Sequence, residues 1–337
     1  MTKTMRKALA LVLAMVFCVL MLASCGQAAN GDADKVDASD DLYIGVYCWG
    51  NLEYFYDHKI GLEAAGKMLG VQTKYTGPAD GDINAMITAF EQAIAEEPDG
   101  IIVFGQEETL AAVINKAEAK GIPVVTVDGD VSSSDRTTFV GTGSLDAGKM
   151  GGNKLAEAID GKGKVAILTQ PSAELHAQRC KGYEEALKEY SDIEVVQIGD
   201  TKSDPVVAID VAKAMLQANP DIVGIGCTDA VGGAAVATAL EELGMVGKVK
   251  VITMDRDQQV LEKIKDGTIY GTLVQNSALM PFLALEILYN MKHADVAVTT
   301  DNAAAGFKFA PATIDTGVVF VDASTAEYYM RSNTSGE

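Results

Sequence analysis

The chain contains 337 residues, of which 48% are hydrophobic and only eight are proline, so most of it can fold around a buried core. This length exceeds that of a usual single domain, and we expect two domains. With 27 basic and 47 acidic residues, the formal net charge is −20. Nucleic-acid-binding proteins carry basic patches, so this acidic balance argues against a nucleic-acid partner.

The N-terminal segment has the composition of an export signal followed by a tether. Basic residues precede an apolar run over residues 8–23, which is short for a membrane-spanning helix. The sequence LASC, ending at Cys25, resembles a bacterial lipobox, after which the cysteine is lipidated. We therefore expect a lipoprotein signal peptide over 1–24 and a flexible tether over 25–41. An uncleaved N-terminal anchor is the alternative. Either predicts an extracytoplasmic protein, at the outer face of the cell membrane or in the periplasm, that meets the membrane only through its N-terminus.

From residue 42 onward, short apolar strands alternate with amphipathic helical stretches. The predicted strands are Tyr43–Tyr47, Val71–Tyr75, Gly100–Phe104, Val124–Val127, Val165–Thr169, Val195–Ile198, Val223–Gly226, Val249–Thr253, Tyr270–Val274 and Val318–Val321. The predicted helices are Tyr54–Leu69, Asp82–Glu96, Thr109–Lys120, Asp146–Ile159, Glu174–Tyr190, Pro205–Ala218, Ala230–Leu243, Gln258–Asp266 and Pro281–Lys292. This alternation predicts an α/β fold with parallel sheets built from right-handed crossovers.

The two halves of this alternation resemble each other. A PDG or PDI triplet opens a unit in each half, and each unit runs through one helix and one strand to a pair of acids. The stretch IPVVTVDGD ends in Asp128 and Asp130, and VKVITMDRD ends in Asp255 and Asp257. Ligands of open α/β sheets bind beyond the carboxyl ends of the strands. The acids therefore predict one ligand held between two lobes; the alternative is that each acid caps the helix that follows.

Three cysteines, Cys48, Cys180 and Cys227, lie in the part of the chain expected to fold. They have neither a C-x-x-C motif nor Cys/His metal spacing, so we interpret them as buried thiols. A bridge between Cys180 and Cys227 stays open as an alternative. We predict no cofactor and no metal site.

A series of markers stands in a fixed order along residues 42–321. They are Asn51 with the aromatic pair Tyr54-Phe55, Gly61, the strand end at Asp128, Arg179-x-x-Gly182, Thr228-Asp229, Asp255 and Gln275. In this order and spacing they resemble the type I periplasmic sugar-binding proteins that feed ABC importers, the ribose-binding branch in particular. The resemblance implies two Rossmann-like, doubly wound lobes joined by a three-segment hinge. It also implies a monomer that closes on a monosaccharide and delivers it to the membrane subunits of an ABC importer.

The same resemblance implies limits for the two lobes. Crossovers would fall near Gly141–Ser144, Gln275–Asn276 and Ile314–Thr316. The N-terminal lobe would then comprise 42–143 plus 276–314, and the C-terminal lobe 144–275 plus 315–337.

Candidate ligand contacts combine aromatic rings with polar side chains. They are Trp49, Asn51, Tyr54, Phe55, Gln106, Asp128, Asp130, Arg179, Thr228, Asp229, Asp255 and Gln275. Carboxylates and amides bind the hydroxyls of a sugar, and flat aromatic rings cover its C–H faces. For the aromatic residues the alternative is core packing, and for Arg179 it is a surface ion pair.

The lining departs from the ribose-binding pattern at several positions. Gly129 follows the strand-end Asp128 where that branch carries arginine, Ser203 stands where an aromatic residue is common, and Thr228 where asparagine is usual. Asp130 is an additional acid. These differences favour a ligand other than ribose, such as a compound with more hydroxyls, an amine-bearing compound or a furanosyl signalling molecule.

Rival functions have weaker support in the sequence. Gly143-x-x-x-x-Gly148-Lys149 has the spacing of a phosphate loop, but Met150 replaces the Ser or Thr that such a loop requires. Asp128-x-Asp130 could chelate a metal, as in some glycosyltransferases, which fits an exported protein badly. A nucleoside-binding lipoprotein and a ligand-presenting sensor component stay open as alternatives with the same fold. We predict a binding protein and not an enzyme.

Overall fold

The structure is a computed structural model that describes residues 38–50, 52–294, 296–302 and 304–330. The predicted signal peptide, Cys25, residues 25–37 of the predicted tether and Asn51 lie outside these residues. The last four residues of the predicted tether, 38–41, are described, and there Asp41 is buried and pairs with Lys292 at 2.7 Å, so the folded part begins before residue 42. In the described part of the chain, no helix combines the length and apolar character needed to span a membrane.

Twelve strands of the described chain form two six-stranded sheets. The strands are β1 Leu42–Val46, β2 Gln72–Thr76, β3 Gly100–Phe104, β4 Val124–Val127, β5 Thr138–Gly141, β6 Lys162–Thr169, β7 Asp192–Asp200, β8 Ile222–Cys227, β9 Lys250–Met254, β10 Gly271–Gln275, β11 Thr313–Asp315 and β12 Val318–Asp322. The first sheet has the order β2-β1-β3-β4-β5-β11 and the second β7-β6-β8-β9-β10-β12. Neighbours pair in parallel, except that β12 runs antiparallel to β10. The predicted α/β fold of two doubly wound parallel sheets is confirmed.

Nine helices of the described residues pack on these sheets. They are α1 Glu53–Leu69, α2 Ile83–Ala95, α3 Ala111–Glu118, α4 Ser144–Ala158, α5 Glu174–Leu187, α6 Pro205–Ala218, α7 Ala230–Leu243, α8 Gln258–Lys265 and α9 Leu279–His293. The first lobe consists of the first sheet with α1, α2, α3 and α9, and the second lobe of the second sheet with α4 to α8.

Both faces of each sheet are covered, which explains the continuous apolar strands in the sequence. In β3, Ile101 and Val103 pack with Phe90 of α2 on one face. Ile102, between them, packs on the other face with Leu62 of α1 and Leu285 of α9. Successive side chains of the strand thus pack alternately into two apolar layers, one on each face of the sheet.

Sheet order places the two predicted acids at equivalent points. In each sheet the strand that ends at the acid is the fourth in order, β4 in the first sheet and β9 in the second. It runs parallel to the next strand, β5 or β10. The chain changes sheets between β5 and β6, between β10 and β11, and between β11 and β12.

Cys48, Cys180 and Cys227 are buried and free, so the alternative of a Cys180–Cys227 bridge is wrong.

Candidate functional site

Asp128 and Asp255 adopt the same unusual backbone conformation at the ends of β4 and β9. Their φ angles are 65° and 68°, in the left-handed region that Asp tolerates better than most residues. The backbone N–H of Asp128 donates to Val140 O at 3.1 Å, and that of Asp255 to Leu273 O at 2.8 Å. Each bond ties the acid to the next strand of its own sheet. The similarity of the two halves therefore extends to these backbone positions.

Neither acid caps a helix. Tyr54 donates its hydroxyl to Asp128 Oδ1 at 2.9 Å, and Gln275 donates Nε2 to Asp255 Oδ1 at 3.0 Å. The capping alternative is therefore wrong for both carboxylates, which accept hydrogen bonds from other predicted site residues.

Burial changes the acidity of both carboxylates. It raises the pKa of Asp128 to about 6, although the Tyr54 hydrogen bond and the positive charge of Arg179 act in the opposite direction. The charge of Asp255 raises the pKa of Asp128 further. Burial also raises the pKa of Asp255, against the lowering effects of Arg179 and Gln275. Tyr54, which holds Asp128, and Asp255 line one cavity between the lobes, so the two strand ends face each other.

Arg179 organises the second-lobe side of the site. It is 4% exposed, so the alternative of a surface ion pair is wrong. Its Nη1 donates to Thr228 O at 3.1 Å and its Nη2 to Gln275 Oε1 at 2.9 Å. Since Gln275 in turn holds Asp255, one chain of hydrogen bonds joins the ends of β8, β10 and β9. The Arg179 Nε is buried without a hydrogen-bond partner among the described residues, so its N–H is an unsatisfied donor.

Thr228 and Asp229 form hydrogen bonds with other groups of the second lobe. Thr228 donates its hydroxyl to Thr169 Oγ1 at 2.7 Å, and its carbonyl also contacts His176 Nδ1 at 3.0 Å. Asp229 caps α7 by accepting from Gly232 N at 2.9 Å, and it accepts a second bond from the Thr201 hydroxyl. Asp229 is therefore an N-cap, a role common for aspartate. His176 is a neighbour of the site that was missed from the sequence, because nothing in its local sequence marks it.

The aromatic candidates divide between the site and the core. Tyr54 reaches Asp128, whereas Phe55 is 5% exposed and packs edge-on against Phe104, with ring centroids 5.0 Å apart. Trp49 is 38% exposed and lies over Gly81, where an added Cβ would come within 2.1 Å of the indole. Phe55 therefore contributes to the core, and Trp49 forms an exposed ring at the edge of the first lobe.

Asp130 and Gln106 have partners inside the first lobe. Arg136 binds Asp130 in a bidentate pair, with Nη2 2.5 Å from Oδ2, and Thr126 donates to Oδ1 at 3.0 Å. Gln106 accepts from Cys48 Sγ at 2.7 Å and donates weakly to Gly81 O at 3.4 Å. The charge of Asp130 is thus balanced within its own loop, which gives this extra acid a structural role.

The space between the two lobes is narrow beside Asp255 and wider towards the solvent. A cavity of about 10 Å³, lined by Tyr54, Asp57, Asp255, Arg256, Asp257, Val274, Gln275 and Ser277, has room for about one water molecule. A groove of about 380 Å³ lies farther out, lined by Leu52, Tyr54, Pro205, Ile209, Ala230, Val231, Ala234, Ala235, Thr238, Asp257 and Gln259. Residues of both lobes line each of these spaces, as expected for a closed cleft.

Comparisons with known proteins agree with this geometry. The family of the periplasmic binding protein domain matches residues 46–295. The D-allose-binding periplasmic protein of Escherichia coli is 27% identical over 262 residues, which are 74% of this chain and 84% of that protein.

Solved structures show the same arrangement of lobes. The arabinose-binding protein AraP from Geobacillus stearothermophilus is 32% identical with a TM-score of 0.81, covering 86% of this chain and 99% of its own. A sugar-binding protein of a sugar ABC transporter from Bacillus halodurans is 32% identical with a TM-score of 0.82, covering 86% of this chain and all of its own. The predictions of a two-lobed binding-protein fold and of a protein that is not an enzyme are confirmed. With three quarters of its length matched by the family and the same fold in its relatives, the chain belongs to the periplasmic binding proteins.

Proposed function

We propose that this protein captures a monosaccharide, or a similar small polyhydroxylated compound, between its lobes and delivers it to an ABC importer. The observation that carries the proposal is that Tyr54, which holds Asp128 in one lobe, lines the same cavity as Asp255 and Gln275, which belong to the hydrogen-bond chain of Arg179 in the other. Relatives that bind D-allose and arabinose support a sugar as the ligand.

The chemistry of the site favours a neutral ligand with many hydroxyls. Hydroxyl groups can donate to the carboxylates of Asp128 and Asp255 and accept from the unpartnered Nε of Arg179. Because Arg136 neutralises Asp130, the extra acid no longer argues for an amine-bearing ligand. Gly129 and Thr228 still differ from the ribose-binding pattern, so we infer a sugar other than ribose.

Closure of the lobes is the proposed mechanism. Contacts from both lobes exist together only in the closed form, so a ligand that makes them shifts the equilibrium towards closure. We infer that the lobes comprise 42–143 plus 276–315 and 144–275 plus 316–337, one residue beyond the limit given above because β11 keeps Asp315 in the first sheet, with hinge motion at the three connections. The closed form then presents both lobes to the membrane subunits of the importer.

The protein works outside the cytoplasm, as its family does. We further propose that a lipid on Cys25 anchors it to the membrane. Cells fed an alkyne-labelled fatty acid should yield a labelled protein, and Cys25→Ser should abolish the label. A parent protein without label would refute the anchor and leave sugar binding unaffected.

A thermal-shift screen tests the proposed ligand class. The screen should include D-allose, arabinose, ribose, other pentoses and hexoses, polyols, furanosyl compounds and adenosine. A ligand present at a hundred times its Kd stabilises the protein by about 2.7 kcal/mol, which is readily detected. Stabilisation by a sugar or polyol supports the proposal. Stabilisation by adenosine alone would favour the nucleoside-binding alternative, and ribose as the tightest ligand would contradict our inference about the lining.

A further inference from the structure

A buried ion pair joins the two lobes beside the ligand site. Asp57 on α1 is 6% exposed and accepts from Arg256 Nε at 3.2 Å and Nη2 at 2.5 Å. Ser277, between β10 and α9, donates its hydroxyl to the same carboxylate at 2.8 Å. Arg256 also donates Nη1 to Tyr329 O at 3.1 Å. A bidentate pair of this kind fixes both distance and orientation between the groups that it joins.

Each of the three residues lies within three positions after a proposed ligand contact. Arg256 comes directly after Asp255, Ser277 two residues after Gln275, and Asp57 one turn of α1 after Tyr54. Movement of the second lobe away from Tyr54 therefore also draws Arg256 away from Asp57. The pair and the ligand site must respond together to opening of the cleft.

We propose that Asp57, Arg256 and Ser277 form an interlobe latch that holds the closed form and positions Asp255 and Gln275 opposite Tyr54 and Asp128. This inference rests on the proposed function, because closure on a ligand gives the latch its role. When the closed form is already populated, a ligand spends less of its binding free energy on closure, and its apparent affinity rises. Asp57, Arg256 and Ser277 are thus positioning residues that need not touch the ligand.

The first lobe contains a matched pair that does not cross the cleft. Arg136 binds Asp130 through Nε and Nη2, donates Nη1 to Ala312 O at 3.1 Å, and shares that acid with the hydroxyl of Thr126. All of these groups belong to the first sheet and its loops. Arg136→Gln therefore removes a bidentate ion pair between arginine and aspartate, as Arg256→Gln does, without changing any contact between lobes.

Small-angle X-ray scattering of the ligand-free protein, fitted as a mixture of open and closed forms, tests the latch. Arg256→Gln and Asp57→Asn should each raise the ratio of open to closed molecules about tenfold, within the usual range of coupling between linked equilibria. The double variant should open no further than either single variant, because both remove one interaction. Arg136→Gln should lower the Tm but leave the ratio unchanged. If Arg256→Gln does not fold, Ser277→Ala, which keeps the ion pair, should give a smaller shift in the same direction.

An unchanged ratio in the Arg256, Asp57 and Ser277 variants would overturn the latch and leave the proposed capture of a sugar intact. A merely structural pair would lower the Tm in all of them, as Arg136→Gln does, without opening the cleft. Since the scattering needs no ligand, a sugar screen without hits would refute the proposed function and leave the measured latch in place.

Discussion

Asp128 and Asp255 show how one residue type can meet two requirements at a strand end. Their positive φ turns the chain out of the sheet, which a bulky or β-branched residue would resist. Their carboxylates then extend beyond the strand ends, where Tyr54 and Gln275 hold one oxygen of each. The position and the chemistry of the site therefore both depend on aspartate.

Replacing either acid should weaken binding sharply. We expect Asp128→Ala and Asp255→Ala each to raise the Kd of the tightest sugar at least about tenfold, since an unpaired buried hydroxyl costs about 1–3 kcal/mol. Isothermal titration calorimetry measures this directly. Asp40→Asn, which removes one exposed acidic charge from the start of the fold, is the control for net charge. Unchanged affinity in both alanine variants would refute the site.

Binding should also depend on pH. Hydroxyl donors favour the ionised carboxylate, so a sugar binds best when Asp128 has lost its proton. Because burial raises the pKa of Asp128 to about 6, the affinity should be high above pH 6 and fall as the pH drops through that value. The raised pKa of Asp255 acts in the same direction, and His176, with a pKa lowered to about 4, stays neutral in this range.

Titrations of Trp49 fluorescence at pH 5 and pH 7 measure this dependence. With a pKa of about 6, only about one molecule in ten has an ionised Asp128 at pH 5, so we expect an affinity about tenfold lower there. Asp128→Asn should flatten the profile. Equal affinities at the two pH values in the parent protein would show that ionised Asp128 does not contact the sugar.

Residues that follow strands were the most predictable from the sequence. Asp128 and Asp255 follow apolar strands and Gln275 ends one, and sheet geometry brings such ends together. The partner of Asp130 could not be predicted, because Arg136 reaches it only through the conformation of the intervening loop. Arg256 lies within the MDRD motif, but its partner on α1 is 199 residues away, and no sequence period connects them.

At the scale of elements, two glycines set the distance between α4 and α5. A Cβ on Gly148 would lie 2.0 Å from the carbonyl oxygen of Arg179, and one on Gly182 would lie 2.2 Å from that of Leu145. These helices cross with their backbones almost in contact, which fixes the height of Arg179 above the sheet. Gly148 has the spacing of a phosphate loop, but it lies inside a helix that begins at Ser144, so that alternative is wrong.

Gly148→Ala should therefore affect both stability and binding. The added methyl group meets backbone atoms that cannot rotate away, and overpacking of this kind costs about 1–3 kcal/mol. We expect a lower urea midpoint and, because α5 must shift, a weaker affinity for the sugar. Gly50→Ala is the control for stability, since its Cβ would meet its nearest atom at an ordinary 3.5 Å. Equal urea midpoints for Gly148→Ala and the parent would contradict the close crossing.

Most helices and strands form where the sequence pattern predicts them, because local propensity and burial favour the same structure there. Asp82 and Asp204 cap α2 and α6 through their side chains, so those helix starts could be predicted closely. Strand β11, Thr313–Asp315, was not predicted as a strand, because it is only three residues long and its one apolar residue, Ile314, lies between two exposed polar residues. Its place is determined by pairing with β5, which is a tertiary contact.

At the scale of the whole molecule, the chain returns to the first lobe after completing most of the second. Helix α9 packs on α1 and the first sheet, and it buries Met280, Leu285 and Leu288 completely. Strand β11 then extends the same sheet. The first lobe is thus built from two distant segments of the chain, and both contribute to one core.

A fragment that ends at the first crossing should consequently fail to fold. Residues 42–143 alone lack α9, and each of its large buried side chains contributes about 1.5–3 kcal/mol, a substantial part of the stability of a small domain. We expect this fragment to show no cooperative urea transition by circular dichroism. The same segment joined by a flexible linker to residues 276–316 restores α9 and β11, and it should unfold cooperatively. If 42–143 unfolds cooperatively by itself, the packing of α9 is dispensable, and the returning segment serves the hinge rather than the core of the lobe.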